Sequence, residues 1–275
     1  MNNLEEMSLE DLKKIQLEIL NCVSSFCEKN KINYWLDCGT LLGAVRHNGY
    51  IPWDDDIDIG MLREDYDKFI KSFNKQNDKY KVYSIENNKK FNYPYAKVLD
   101  TTTVLYEPDM KYGKKSCINI DVFVYDNAPD NDKKLEKIFK KRDFLLICNV
   151  VKTSPHFATK SNFIQKILRY VGYYVFKILP VGFFSKLIIN NSSKYKNYNT
   201  RRVGNFTSYS KVVAEKEIFS SFIKMPFEGN EYNIPIGYDK WLKLFYKDYM
   251  QLPPVEKRKS THKFVAFKEK KDEKK

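Results

Sequence analysis

The 275-residue sequence predicts an α+β fold, a mixed sheet core with flanking helices that leads into a mainly helical second half. Three observations carry this. Short aromatic or alternating runs at residues 34–38, 56–60 and 118–124 have the period of strands. Apolar residues at helical spacing flank them over residues 9–29 and 63–73. After Asp126 the texture changes to a lysine-rich and then apolar helical pattern.

Ser8 is placed as an N-cap, with Glu10 and Asp11 in the first turn, where acids favour the positive helix end. Leu9, Leu12, Ile19, Val23 and Phe26 keep the helical period, with a break at Gln16, and the helix ends before Asn30. Residues 34–38 form a strand that ends at Gly39, and residues 40–46 form a short helix directly after it. Residues 47–50 are a turn, and Pro52 blocks helix at Ile51. Over residues 56–60 carboxylates and isoleucines alternate as on a strand. Residues 63–73 put Tyr66, Phe69, Ile70 and Phe73 on one helix face. Apolar runs at 80–85, 95–99 and 102–106 precede the strongest strand signal, residues 118–124.

Residues 130–151 predict a helix. The apolar stretch 163–189 is interrupted by Lys166, Arg169, Lys177, Pro180 and Lys186, so it falls short of the roughly 20 uninterrupted residues of a spanning helix. The division expected is a core with the candidate site over 1–126, a helical region over 127–267 that completes the same fold, and a charged tail over 268–275.

The formal net charge of +13 directs the chain toward anionic partners. With 43% hydrophobic and 15% aromatic residues, disorder is excluded for the whole. Five cysteines without a CxxC pair exclude a disulfide framework and a zinc ribbon, and favour a reducing compartment. The histidines (His47, His156, His262) are too scattered for a His-based metal motif; His47 reads as a turn residue and His262 as a surface one. The N-terminus is acidic and polar where a signal peptide would be basic and then apolar, which predicts a cytoplasmic location.

The sharpest local feature is the run from Trp53 to Ile59. On a strand, Asp56 and Asp58 share one face about 7 Å apart at the backbone, while Ile57 and Ile59 enter the core. Such carboxylates repel each other unless a cation lies between them. Hard oxygen ligands suit Mg²⁺ or Mn²⁺, which keep positions open for water and phosphate oxygens. Asp121, a lone carboxylate in an apolar strand, is the candidate third ligand. A solvated acidic loop is the competing reading; the isoleucine alternation favours the metal by holding the carboxylates on a semi-buried surface. Gly39 and Thr40 lie where a helix N-terminus can receive phosphate. Arg46 offers an anion a planar donor fork, or else balances a helix end.

The run Asp37-Cys38-Gly39-Thr40-Leu41-Leu42-Gly43-Ala44-Val45-Arg46-His47-Asn48-Gly49-Tyr50-Ile51-Pro52-Trp53-Asp54-Asp55-Asp56-Ile57-Asp58-Ile59 resembles the signature of the LicD/fukutin-related family, a branch of the nucleotidyltransferase-fold superfamily. Residues 94–100, 120–123, 237–239 and 249–254 are similar to further pieces of it. Lys247 stands before Asp248 where members often carry glycine, and His262 follows a threonine where a His pair is common.

The resemblance implies a nucleotidyltransferase-like core and a metal-dependent phosphotransferase. Phosphocholine, or a related substituted phosphate, would move from a CDP-linked donor such as CDP-choline to a cell-surface glycan precursor: lipopolysaccharide, teichoic acid or capsule. By the same resemblance, Asp56, Asp58 and Asp121 hold the metal, with Asp121 as ligand or general base. Asp54 or Asp55 binds a second metal or only supports the loop. Gly39, Thr40, Arg46 and Lys97 bind donor phosphate; for Lys97 the competing reading is a snorkelling strand-edge residue.

Two other functions remain open: nucleotidyl transfer onto a small molecule or sugar, and a non-enzymatic basic module that binds membrane or nucleic acid. The acidic centre repels phosphate without a metal and so disfavours nucleic acid as a partner. The stretch 163–189 reads either as a helical pair packed on the core or as a peripheral contact with the inner face of the cell membrane, where a lipid-linked acceptor would be met.

Overall fold

The computed structural model describes residues 4–107, 114–153, 162–259 and 265–269. His156, His262 and residues 270–275 lie outside the described residues. In chain order the elements are β1 (Leu4–Glu6), α1 (Leu9–Asn30), β2 (Trp35–Leu36), α2 (Cys38–His47), β3 (Asp58–Leu62), α3 (Arg63–Ser72), β4 (Tyr80–Tyr83), β5 (Ala96–Asp100), β6 (Thr103–Glu107), β7 (Lys114–Ser116) and β8 (Asn119–Ala128). There follow α4 (Asp132–Thr153), α5 (Phe163–Lys177), α6 (Phe183–Ser192), β9 (Arg202–Gly204), β10 (Val213–Glu215), β11 (Phe222–Phe227), β12 (Asn230–Pro235), α7 (Tyr238–Tyr246) and β13 (Val265–Glu269). The mix of helices and sheets is the expected α+β class.

Two compact units result. One comprises the described residues of 1–82, 97–123 and 217–275, the other those of 83–96 and 124–216. The first unit opens with α1, whose start is fixed by a reciprocal capping box. Ser8 Oγ accepts from Asp11 N–H at 3.1 Å, and Asp11 Oδ2 accepts from Ser8 N–H at 3.3 Å. Leu12, Ile15, Ile19, Val23 and Phe26 are buried along one face. Gln16, the break in that period, is buried too.

β2 pairs antiparallel with β3, Trp35 opposite Gly60 and Leu36 opposite Ile59, and β3 neighbours β8. β5 pairs with β4 and with β8. A second, antiparallel sheet runs β1-β13-β6-β7, so Lys268 and Glu269, the first residues of the charged tail, close a strand. β11 and β12 form a hairpin through Glu228 and Gly229, at φ 49 and 78, the left-handed pair that matches a two-residue turn to strand twist.

In the second unit the end of β8 carries β9 and β10, with Asp126 opposite Gly204 and Ala128 opposite Arg202. Leu145, Leu146 and Cys148 of α4 pack with Phe184 and Ile188 of α6 in one core cluster. Among the described residues no helix is long and apolar enough to cross a membrane.

Two differences from the sequence expectations have simple causes. The strand expected from residue 56 begins at Asp58, because a turn closed by Asp54 N–H on Ile51 O occupies the segment before it. Ile57 still reaches β8, its carbonyl accepting Asp121 N–H at 2.9 Å. The strand expected to end at 124 continues to Ala128, because β9 offers it a partner that local sequence does not reveal.

Candidate active site

Every residue singled out from the sequence for the site lies in the first unit. The segment between α2 and β3 supplies most of the acids. One carboxylate oxygen from each of Asp54, Asp55 and Asp56 lies within 4.8 Å of the others. Ile57 and Ile59 are fully buried while Asp56 and Asp58 are half-buried, so the alternation persists although Asp56 precedes the strand. Burial, with repulsion from Asp56, Asp121, Asp37 and Asp54, holds the Asp58 carboxyl well above the ordinary carboxylate range.

Gly39 and Thr40 lie in the first turn of α2. A Cβ added to Gly39 would stand 2.6 Å from Asp54 Oδ2, so only glycine lets that carboxylate reach the helix start. Thr40 Oγ1 accepts Asp58 N–H at 2.8 Å, which ties the first residue of β3 to α2. Asp37 occupies the N-cap position of α2 but makes no side-chain cap bond. Its carboxylate instead accepts the indole N–H of buried Trp241 at 3.0 Å. Cys38, at φ 48, is desolvated beside Asp37, Asp58 and Asp56, which pushes its thiol up.

Lys97, on β5, donates from Nζ to Asp121 Oδ1 at 2.6 Å and to Asn119 Oδ1 at 3.0 Å. It is thus a cation inside the acidic group. Arg46 is brought less directly to the acids. It ends α2, donating to His47 Nε2 at 2.9 Å and to the carbonyl of Tyr249 at 2.7 Å.

Several residues at the site gave little or no sign in the sequence. Gln16 Nε2 donates to the carbonyls of Asp55 at 3.1 Å and Asn119 at 3.4 Å, and Gln16 Oε1 accepts the hydroxyl of Tyr50 at 3.1 Å. Its break in the α1 period was the one signal for it. Glu228, at the hairpin turn, accepts Tyr50 N–H at 3.0 Å, and its own N–H binds Asn48 O at 3.0 Å. Tyr246 of α7, 39% exposed, lies in the field of Cys38, Asp58, Asp37 and Asp54; partial desolvation first, and their charge second, push its phenol up. Trp35 is core, stacked with Phe222 at 6.0 Å between ring centres, whereas Trp53 is half-buried with Arg258 at 5.7 Å over its ring.

The family model for the LicD/FKTN/FKRP nucleotidyltransferase domain matches residues 31–151, which contain the whole carboxylate set and Lys97. The lipopolysaccharide cholinephosphotransferase LicD of Haemophilus influenzae is 31% identical over 267 residues, 96% of this chain and 99% of that protein. The chain belongs to the LicD family. An uncharacterised Rickettsia prowazekii protein is 34% identical over 143 residues, 48% of this chain and 42% of its own. Human ribitol 5-phosphate transferase FKRP is 46% identical over 48 residues, 18% of this chain and 10% of that protein. For a LicD-family chain, the nucleotidyltransferase-domain match covers the part that holds α2, β3, β5 and β8.

Proposed function

We propose that this chain is a metal-dependent phosphotransferase that moves phosphocholine, or a related substituted phosphate, from a CDP-linked donor to a lipopolysaccharide-type surface glycan precursor. One observation carries this reading. The acids at the start of α2 and β3 occur in a chain that aligns over 96% of its length with a lipopolysaccharide cholinephosphotransferase. The short match to a ribitol 5-phosphate transferase supports a substituted phosphate as the transferred group.

Carboxylate oxygens suit a hard divalent ion: those of Asp54, Asp55 and Asp56 lie within 4.8 Å of one another, and burial first, then the charges of Asp56 and Asp121, raise the Asp58 carboxyl beside them. In this reading Asp56, Asp58 and Asp121 hold Mg²⁺ or Mn²⁺, with Asp54 beside them. Such an ion, when bound, neutralises phosphate charge and eases loss of a hydroxyl proton. The chain's own groups do the rest. The N–H groups at the start of α2 receive a phosphate oxygen beside the Asp54 carboxylate that Gly39 admits, with the ion between the two anions. Thr40 keeps Asp58 in register through its backbone bond. Lys97 offsets part of the negative charge that an incoming diphosphate meets. Asp121 is metal ligand or acceptor of the glycan hydroxyl's proton. Arg46 binds phosphate from the far end of α2.

The test is release of CMP from CDP-choline by the purified chain with a glycan acceptor, in Mg²⁺, in Mn²⁺ and in EDTA. Metal-dependent release is expected. Full turnover in EDTA, or in the Asp56→Ala/Asp58→Ala double variant, would overturn the metal mechanism. Turnover of CDP-ribitol in place of CDP-choline would move the assignment to another alcohol within the same reaction.

A further inference from the structure

We infer that α5 is a membrane-docking helix, and that its occupant is the surface of an anionic lipid bilayer. The inference does not depend on the reaction proposed above. α5 starts on its own capping box, with Gln165 N–H on Asn162 Oδ1 at 2.9 Å and Asn162 N–H on Gln165 Oε1 at 3.3 Å. One side of it is held by the second unit. Gly172 approaches Val151 of α4, and Phe176 and Leu179 pack on the cluster of Leu145, Leu146, Cys148, Phe184 and Ile188. Lys152 Nζ binds the terminal carbonyls of Phe176 at 2.8 Å and Leu179 at 2.7 Å. The helix is thus fixed in place, yet none of its residues is buried.

What it presents outward is apolar. Phe163, Ile164, Ile167, Leu168, Val171 and Val175 are 47–77% exposed. At 3.6 residues per turn these six fall within an arc of about 140°, the width of a stripe that soluble helices ordinarily bury. Ile178, just past the helix, extends the stripe at 84% exposure. Lys166, Arg169 and Lys177 lie outside that arc.

The charge selects the occupant. From residue 144 to residue 214 the sequence has no aspartate or glutamate and eleven lysines and arginines, against a net charge of +13 for the whole chain. A second copy of this chain would set that charge against itself. Nucleic acid would meet the charge and leave the stripe in water. An anionic bilayer satisfies both, because its boundary takes the apolar side chains and its headgroups face the basic ones. No described helix can span a membrane, so α5 lies along the surface.

The experiment is co-sedimentation of the full chain with phosphatidylcholine vesicles, with and without phosphatidylglycerol. The chain is expected to pellet with the anionic vesicles only. Ile167→Glu/Leu168→Glu should cut the bound-to-free ratio at least about tenfold by removing two apolar contacts. Lys166→Glu/Lys177→Glu, at two exposed positions, should cut it about as much by reversing two charges. Both pairs are surface changes, so circular dichroism and CMP release with a water-soluble acceptor should match the parent chain. If one pair fails to fold, the other decides. A parent chain that stays in the supernatant at low salt would overturn the inference. So would binding untouched by either pair, or a dimer that Ile167→Glu/Leu168→Glu converts to monomer.

Discussion

The ammonium of Lys97 lies 2.6 Å from Asp121 Oδ1, with the two side chains only 12% and 18% exposed. After burial and Asp56, Asp121 is among the acids that raise the carboxyl of Asp58, so Lys97 offsets charge within the same group. Lys97→Met should therefore weaken the fold, by about 1–3 kcal/mol, less than for a fully buried pair because water still reaches both partners. Added Mg²⁺ should restore more stability to the variant than it gives the parent, because binding to the folded state stabilises by mass action and the variant lacks its internal cation. Thermal melts in EDTA and in Mg²⁺ check this. Equal shifts for parent and variant would remove Lys97 from the electrostatics of the site.

Asp58 makes the metal-free protein sensitive to pH in a definite direction. Its folded carboxyl titrates well above the usual range, for burial first and neighbouring acids second. Its contribution to stability is complete below the unfolded value of about 3.9 and is lost as pH rises through the raised folded value. Asp58→Asn removes the ionisable group, so in EDTA at neutral pH the variant should be more stable than the parent. The same change should lower turnover by about 1,000-fold or more, the scale of several kcal/mol of lost charge stabilisation. Urea titrations across acid and neutral pH, paired with CMP release, separate the two effects. A variant less stable than the parent at neutral pH would mean that Asp58 holds the fold together rather than straining it.

Gly39→Ala tests the approach of Asp54 to the helix start. The new methyl would meet Asp54 Oδ2 at 2.6 Å, and that atom is the far end of a side chain that can turn away. The expected outcome is a nearly unchanged melting temperature with turnover down about 10- to 100-fold, the range for displaced groups around a metal centre. A variant with full activity would show that Asp54 is not needed at that position.

The core of the fold was legible because its signals are local. The capping box at Ser8, the alternation around Ile57 and Ile59, and the apolar face of Tyr66, Phe69, Ile70 and Phe73 each lie within a few residues. The clustered acids from Asp54 to Asp56 were visible for the same reason. The supports were not. Trp241 reaches Asp37 across 204 positions, and Glu228 reaches Tyr50 across 178. Neither residue carries a local mark of its partner. Gln16 lies between the cases: its polarity interrupts an apolar face, and that interruption is a buried amide that holds the carbonyl of Asp55. An amide there satisfies backbone groups that a leucine would leave without a bond. The strand pairs β9–β10 and β11–β12 were missed because short strands depend on partners more than on propensity.

Lys247 links the sequence comparison to backbone energy. It ends α7 at φ 56 and ψ −108, a region that β-carbon sterics deny to lysine and leave open to glycine. The family resemblance often places glycine at this position, so the geometry supplies the physical reason for that preference. Strain of this kind costs of order 1–3 kcal/mol, while glycine loses about 0.5–1 kcal/mol more backbone entropy on folding than other residues. The balance favours Lys247→Gly by about 1 kcal/mol. Local bonds should survive, because Lys247 N–H on Lys243 O and Tyr249 N–H on Lys247 O are made by the backbone alone. Retention of Tyr249 matters, since its carbonyl holds Arg46 and its hydroxyl binds Asp239 at 2.9 Å. Chemical denaturation of Lys247→Gly against the parent should show a higher midpoint with an unchanged slope. Lys247→Ala separates the causes: it loses the lysine side chain, keeps the strained backbone, and should leave the midpoint where it is. A gain in the alanine variant equal to that of glycine would assign the effect to lost positive charge and not to the backbone.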